Sequence, residues 1–229
     1  MKRIVCAGVA AFATASALGG GAPMLLWDNY LSPGAGHDSL SGLSADRQTL
    51  VPDAWTVEDM VLTQPVSLTE IRWIGLRATG SNIQYPDADV LLLDSQLNTV
   101  QSFQNLDFTS TVIGTLGGFQ VYEGRVDLTG LNPLSLELAA GRYFFGARLV
   151  GNNLGQNFVA TTGSGAVNGQ GYGFFKSSHF GLPNWTPVGN VAGADDSEYS
   201  YQVYGTIIPE PVSLMMIGLG GIAMVIRRR

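Results

Sequence analysis

The sequence predicts an all-β fold, an antiparallel β-sandwich of the jelly-roll type formed by residues 18–208. Three observations favour this fold class. Short apolar stretches of strand length recur along this range, and Gly, Ser, Thr and Asn separate them at close intervals. Aromatic and β-branched residues are enriched in those stretches. None of the stretches has the periodicity of an amphipathic helix, and the range is long enough for one packed domain.

The first part of this body predicts an irregular opening followed by two strands. Residues 27–51 are polar and rich in turn residues, so we expect at most one strand there. Residues 55–64 and 68–78 then read as strands, with a turn at Pro65. The alternation of the second strand slips by one residue after Trp73. This slip indicates either a β-bulge near Trp73 or a strand that is buried on both faces.

The middle of the body predicts a central hairpin and a further strand. Residues 88–93 are almost continuously apolar, which favours a central strand, and 94–98 read as the turn that leads back into 99–103. Residues 119–128 form the next predicted strand, opened by two glycines at 117 and 118.

The last third contains the strand with the most regular alternation. Leu134, Leu136 and Leu138 share one face, which predicts a half-buried strand at an edge. Over 142–149 one face consists of Tyr143, Phe145, Ala147 and Leu149, and the other of Arg142, Phe144, Gly146 and Arg148. Residues 198–208 are predicted to close the body with a final strand.

The C-terminal segment 209–229 has three ordered parts. Pro209, Glu210 and Pro211 are followed by the uncharged apolar run 212–226, and Arg227, Arg228 and Arg229 end the sequence. A helix over 212–226 would span roughly 22 Å, less than the ~30 Å hydrocarbon core, so it is marginal as a permanent span. The arginines form the positive cluster that stays cytoplasmic. A buried core helix is the alternative, but such a helix normally has a polar face.

This order of parts resembles the PEP-CTERM sorting signal of Gram-negative bacteria that make extracellular polysaccharide. The motif corresponds to Pro209, Glu210 and Pro211, the helix to 212–226 and the basic stop to 227–229. The resemblance implies an exosortase-type membrane enzyme as partner, removal of the tail, and release or attachment at the cell surface. The opening of the body also resembles, less specifically, the secreted bodies that carry this tail, and that resemblance implies no activity.

The N-terminal segment 1–17 agrees with export. Lys2 and Arg3 precede an apolar, Ala-rich run over 4–18, and Ala15-Ser16-Ala17 fits the small-x-small rule for cleavage by signal peptidase. Cleavage near Ala17 would remove Cys6, the one cysteine of the sequence. The mature body would then have neither a disulfide nor a cysteine metal ligand.

Loss of both ends would leave a strongly acidic body. Removing Lys2, Arg3 and the three terminal arginines from the 12 basic residues leaves 7, and removing Glu210 from the 18 acidic residues leaves 17. This balance argues against nucleic acid or anionic lipid as partners, because both need basic patches. It is compatible with divalent cations.

The residues that could carry catalysis predict that the protein is not an enzyme. The two histidines are His37 and His179, and His37-Asp38-Ser39 cannot form a relay because neighbouring residues of an extended chain point to opposite faces. No Gly-x-Ser-x-Gly elbow is present. A pair of carboxylates for glycoside hydrolysis stays open as a third choice, because such pairs meet only in three dimensions.

Acidic residues suggest a possible cation site. Asp195 and Asp196 with Glu198 form the densest acidic group, in a loop just before the last strand, and Glu58-Asp59 is a second group. Carboxylate oxygens are ligands that calcium prefers, whereas the His and Cys clusters of zinc sites are missing. The sequence therefore indicates Asp195, Asp196 and Glu198 as a candidate calcium site. The alternative is that these residues form a solvated loop. No other cofactor is predicted.

Aromatic residues between glycines offer a second candidate site. Tyr172, Phe174, His179 and Trp185 lie near several amide side chains, and sugar sites pair flat aromatic faces with such amides. The alternative is that these rings fill the end of the sandwich. The sequence thus predicts an exported, non-enzymatic protein of the cell surface or matrix with a structural or adhesive role. A carbohydrate-binding module, with extracellular polysaccharide as partner, is the alternative.

Overall fold

The computed structural model describes residues 22–29, 42–48, 51–80, 83–132, 136–152, 155–162, 173–191 and 198–209. These residues form fifteen strands and one short 3₁₀ helix at Val188–Asn190, and they contain no α-helix. None of these residues belongs to a helix that is long and apolar enough to cross a membrane. The strands are β1 (Met24–Asp28), β2 (Gly42–Ser44), β3 (Asp46–Arg47), β4 (Trp55–Leu62), β5 (Val66–Ala78), β6 (Asp87–Asp94), β7 (Thr99–Leu106), β8 (Thr109–Leu116), β9 (Phe119–Asp127), β10 (Glu137–Leu138), β11 (Gly141–Val150), β12 (Asn157–Ala160), β13 (Phe174–Ser177), β14 (Leu182–Pro187) and β15 (Tyr201–Ile207).

The strands form two sheets. In the first sheet the order is β1-β15-β5-β12-β2, with β9 and β10 also paired to β5 and β8 paired to β9. In the second sheet the order is β14-β13-β4-β11-β6-β7, with β3 beside β11. The pair of β3 with β11 is parallel, and every other pair is antiparallel. The predicted all-β, antiparallel, two-sheet architecture is confirmed.

The main core lies between the two sheets. Alternate residues of each strand point inward, so Trp73 and Tyr201 of the first sheet meet Met60 and Phe145 of the second in one buried cluster. Each of these four side chains is fully buried. The ring of Phe145 stands edge-on to Tyr201, with 5.2 Å between the ring centroids.

The slip in alternation after Trp73 comes from burial on both faces of β5. Trp73 points into the main core, whereas Ile74 packs on the opposite face in a separate apolar cluster with Val121 and Ala160. The pairing of β5 with β9 runs without a shift from Glu70 to Ala78. The β-bulge that the sequence suggested near Trp73 is therefore wrong, and its alternative is confirmed.

The opening of the chain contains more strand than we predicted. β1, β2 and β3 lie in or beside the range where the sequence predicted at most one strand. Each of them pairs with a strand far away in the sequence, namely β15, β12 and β11. Strands as short as β2 and β3 contain too few residues to show an alternating pattern in the sequence. Their hydrogen bonds come from partners that are distant in the sequence. The strand predicted around residues 134–138 is reduced to β10, and residues 133–135 lie outside the described ranges.

A buried chain of polar groups joins five strands inside the sandwich. The Trp73 indole N–H donates to the Tyr122 hydroxyl (3.0 Å), which donates to Oδ1 of Asn157 (2.6 Å). The Asn157 backbone N–H lies 3.1 and 3.0 Å from the two carboxylate oxygens of Asp46, which also accept from Ser44 Oγ (3.1 Å). Burial of Asp46 raises the pKa of its carboxyl to about 7, although these hydrogen bonds act in the opposite direction.

Substitution of Gly124 by Ala should destabilise the protein. Gly124 lies directly opposite Trp73 in the β5–β9 pair, and an added Cβ would overlap the indole ring. We expect Gly124→Ala to lower the free energy of unfolding by about 1–3 kcal/mol, as overpacking of a filled core does. The matched control is Gly114→Ala in β8, where the nearest atom to an added Cβ is 3.9 Å away. Urea unfolding that shows equal stability for the two variants would contradict this packing.

Asp46 should make stability depend on pH. Because its folded-state pKa of about 7 lies above the ordinary 3.8, the folded protein holds a proton that the unfolded chain has released between these values. The contribution of Asp46 to the free energy of unfolding therefore falls as pH rises from about 4 to about 7. Asp46→Asn, which stays neutral, should gain about 2–4 kcal/mol relative to the wild type between pH 5 and pH 8.

Urea unfolding of the wild type and Asp46→Asn at the two pH values measures this gain. Asp107→Asn is the control, because it removes an exposed carboxylate and changes the net charge equally. A difference between wild type and Asp46→Asn that is the same at both pH values would contradict the assignment.

Candidate metal centre

The candidate site lies where one edge of β4 loses its strand neighbour. β13 pairs with β4 only over residues 55–57, and its first residue, Phe174, is opposite Val57. Beyond that point Gly173 and the segment 198–199 lie against β4. An added Cβ on Gly173 would be 3.2 Å from Oε2 of Glu58 and 3.0 Å from the Tyr199 ring. The absence of a side chain at Gly173 therefore lets the backbone approach Glu58 closely.

Three carboxylates meet at this edge. Glu58, Asp59 and Glu198 are each fully buried. Each offers one carboxylate oxygen, and these three atoms lie within 4.8 Å of one another. Burying a carboxylate is costly unless a charge or hydrogen bonds compensate it, so the partners of each carboxylate decide what the site can do.

Glu58 is held by two backbone N–H groups. Its Oε1 accepts from Asp59 (3.1 Å) and its Oε2 from Tyr199 (2.6 Å), which joins β4 of the second sheet to the chain that leads into β15. Burial raises the pKa of Glu58 well above its ordinary value. The hydrogen bond from Tyr199 opposes this rise, and the nearby charges of Glu198 and Asp59 add to it.

One carboxylate oxygen of Asp59 accepts hydrogen bonds and the other accepts none from the described part of the chain. Its Oδ2 accepts from Nε (2.9 Å) and Nη2 (2.6 Å) of Arg142. Its Oδ1 is buried and has no hydrogen-bond partner among the described residues. An unsatisfied buried acceptor costs on the order of 1–3 kcal/mol, and more when it is charged.

Of the Lys and Arg side chains of the body, Arg142 is the one that pairs with a carboxylate of the cluster. Residues 22–209 contain seven basic side chains, and all seven lie in the ranges that the structure describes. Arg142 pairs with Asp59. The other six have these neighbours: Arg47 and Arg148 pair with Asp89, Arg72 and Arg125 with Glu70, Arg77 lies beside Gln120 and Ser110, and Lys176 lies over the Trp185 ring.

The predicted calcium residues are only partly within the described chain. Glu198 belongs to the cluster, whereas Asp195 and Asp196 lie outside the described residues. The sequence singled out Glu58-Asp59 as a separate acidic group and did not connect it to Glu198, because only the packing of the two sheets brings these distant positions together. One signal was available. Two adjacent acids in the apolar stretch 55–64 are unusual, because buried acids need partners.

The predicted carbohydrate residues divide between two places. Phe174 and Trp185 pack in one apolar cluster with Trp55, on the face of the second sheet that points away from the main core. His179 is exposed in the turn between β13 and β14, where its ring contacts Phe180. Tyr172 lies outside the described residues.

The terminal segments are described only where they join the body. Pro209 lies two residues after the end of β15 and is exposed, whereas Glu210, Pro211 and Arg227–Arg229 lie outside the described residues, as do residues 1–17.

Comparison with protein-family models, with curated protein sequences and with solved structures found no match.

Proposed function

We propose that the protein is exported to the cell surface or extracellular matrix, where its sandwich, of jelly-roll type, has a structural or adhesive role without enzymatic activity. In this proposal signal peptidase removes residues 1–17, and an exosortase-type enzyme recognises Pro209, Glu210 and Pro211. The apolar run 212–226 anchors the chain in the inner membrane until then. The observation that carries the proposal is the place where the two terminal segments join the body.

Both terminal segments join the same end of the first sheet. β1 and β15 are antiparallel neighbours, with Met24 opposite Gly205. The chain therefore enters β1 beside the point where it leaves β15. Two apolar segments that start from one end of the body can reach one bilayer together, with the sandwich on its outer side. This arrangement supports a membrane-bound intermediate that is processed at both ends.

The joint before the tail also suits a processing enzyme. The Ile208 backbone N–H donates to the Pro65 carbonyl (2.9 Å), and Pro209 immediately after it is exposed. Pro209 and Pro211 disfavour a helix at this point, so we expect an extended segment between body and tail. A stiff, extended and accessible segment is a suitable substrate for an enzyme at the membrane surface.

The three clustered carboxylates do not support a hydrolase. A glycosidase needs two carboxyl groups that reach a sugar from opposite sides. Glu58, Asp59 and Glu198 are fully buried instead, so a glycosidic bond cannot approach them in this conformation.

Removal of the tail should change how the protein is processed. Deletion of residues 209–229 should leave the body unanchored, and Glu210→Ala should leave the tail attached, because the acidic residue of the motif is lost. Intact mass and cell fractionation measure both effects. Glu137→Ala, which removes an exposed acid of β10, is the control and should be processed normally. A wild-type mass and location for both tail variants would contradict the proposal.

A carbohydrate-binding role is the second candidate, and the aromatic cluster on the outer face of the second sheet favours it. Trp55, Phe174 and Trp185 are half-buried there, and a cation lies over one face of each tryptophan ring. Arg148 lies 4.0 Å from the Trp55 ring centroid and Lys176 lies 5.6 Å from that of Trp185. Flat aromatic faces beside hydrogen-bond donors suit a sugar surface.

Trp185→Ala tests this second role. If the cluster binds polysaccharide, the variant should lose binding on a glycan array by about tenfold or more, because one aromatic contact contributes on the order of 1–2 kcal/mol. Phe180→Ala is the control, since Phe180 is exposed and belongs to another part of the surface. Absence of binding by the wild type, with or without calcium, would exclude the role.

A further inference from the structure

We propose that Glu58, Asp59 and Glu198 bind one calcium ion at the edge of β4. The proposal rests on three observations: the balance of charge, the unsatisfied oxygen of Asp59, and the chemistry and spacing of the ligand atoms. It does not depend on the proposed function of the body, and each can fail while the other holds.

The balance of charge favours a further positive group. If all three carboxylates are ionised, the guanidinium of Arg142 leaves two negative charges over. The other six Lys and Arg residues of the body have the neighbours described above, and the undescribed segments between residues 22 and 209 contain no Lys or Arg. One divalent cation restores neutrality. The alternative is protonation of the carboxylates.

The unsatisfied oxygen of Asp59 favours the cation over protonation of its neighbours. Arg142 occupies Oδ2, so Oδ1 is the oxygen of Asp59 that remains for a ligand. A cation bound there satisfies the buried acceptor and the charge together. A proton on Glu58 or Glu198 reduces the charge but supplies nothing to Oδ1 unless that carboxyl group turns towards it.

The ligand atoms favour calcium over zinc or magnesium. The cluster consists of carboxylates alone, which are hard oxygen ligands, and zinc sites usually contain His or Cys. Calcium binds oxygen at about 2.3–2.6 Å and takes most of its ligands from the protein, whereas magnesium usually keeps several of its waters. The three oxygens lie within 4.8 Å of one another, so one calcium ion can reach all three.

A bound ion would connect the two sheets. Glu58 and Asp59 belong to β4 of the second sheet, and Glu198 lies three residues before β15 of the first. Calcium would therefore fix the start of the last strand against β4, where Tyr199 already donates to Glu58. We expect it to stabilise the folded body, because an ion that binds only the folded state raises its stability.

The test uses the full chain, purified in mild detergent and stripped of metal with a chelator. Calcium should bind with one ion per chain by isothermal titration and should raise the melting temperature, and magnesium should bind more weakly. Terbium, a luminescent substitute for calcium, should be sensitised by the Tyr199 ring, because this ring and Glu58 Oε2 both lie within 3.2 Å of the position that a Cβ on Gly173 would take. Absence of calcium binding to the wild type would overturn the proposal and favour protonated carboxyl groups.

Single substitutions of the carboxylates test where the ion binds. Asp59→Asn and Glu198→Gln should each weaken calcium binding by about tenfold or more, because calcium affinity depends on the number of charged ligands. Asp59→Asn also loses the ion pair with Arg142 and could fail to fold for that reason. In that case Glu198→Gln alone tests the site. The control is Glu70→Gln, a carboxylate paired with two arginines in the first sheet, and it should bind calcium normally. Unchanged binding in Glu198→Gln would place the ion elsewhere and contradict the site.

Discussion

The structure depends on the segment 198–201, which leads into the last strand of the first sheet and is bonded to both sheets. The Tyr201 hydroxyl reaches across the core, accepts from the Ala147 N–H (2.9 Å) and lies 3.1 Å from the Thr56 hydroxyl. Two residues earlier, the Tyr199 N–H donates to Glu58. The segment is thus bonded to β4 and β11 of the second sheet, and the Ser200 backbone between these two tyrosines is bonded to β5 and β12 of the first. The acceptor in this connection, Glu58, lies beside two further buried carboxylates, and their shared charge is the central question of the site.

The same segment relates the core to the ends of the chain. β15 starts at Tyr201, in the middle of the sandwich, and runs outward to Ile207, next to the first residues of β1. A tail that pulls on Pro209 therefore acts on a strand whose other end is fixed by Tyr201 and Tyr199. This attachment suits a body that is held at a membrane by its C-terminal segment, as the proposed function requires. A calcium ion at Glu198 would strengthen the fixed end.

The sequence predicted the fold best in two neighbouring strands of the second sheet that are buried along most of their length. Residues 142–149 alternate without interruption and form most of β11, and the apolar run 88–93 lies within β6. β8 escaped prediction because most of its residues are exposed, so it shows no apolar alternation. Its signal was the glycine pair at 117–118, which forms the turn to β9 with φ of 54° and 86°, as two-residue hairpin turns require. The site escaped because Glu58 and Glu198 meet only through the packing of two sheets.

A crystal structure of the full chain, grown with calcium, tests the central claim most directly. We expect an ion between Glu58, Asp59 Oδ1 and Glu198, at about 2.3–2.6 Å from each carboxylate, with Arg142 still bound to Oδ2. A site without an ion, in which two of the carboxyl groups share a hydrogen bond of about 2.5–2.7 Å, would contradict the account. In that case protons would replace the metal as the means by which the buried charge is neutralised.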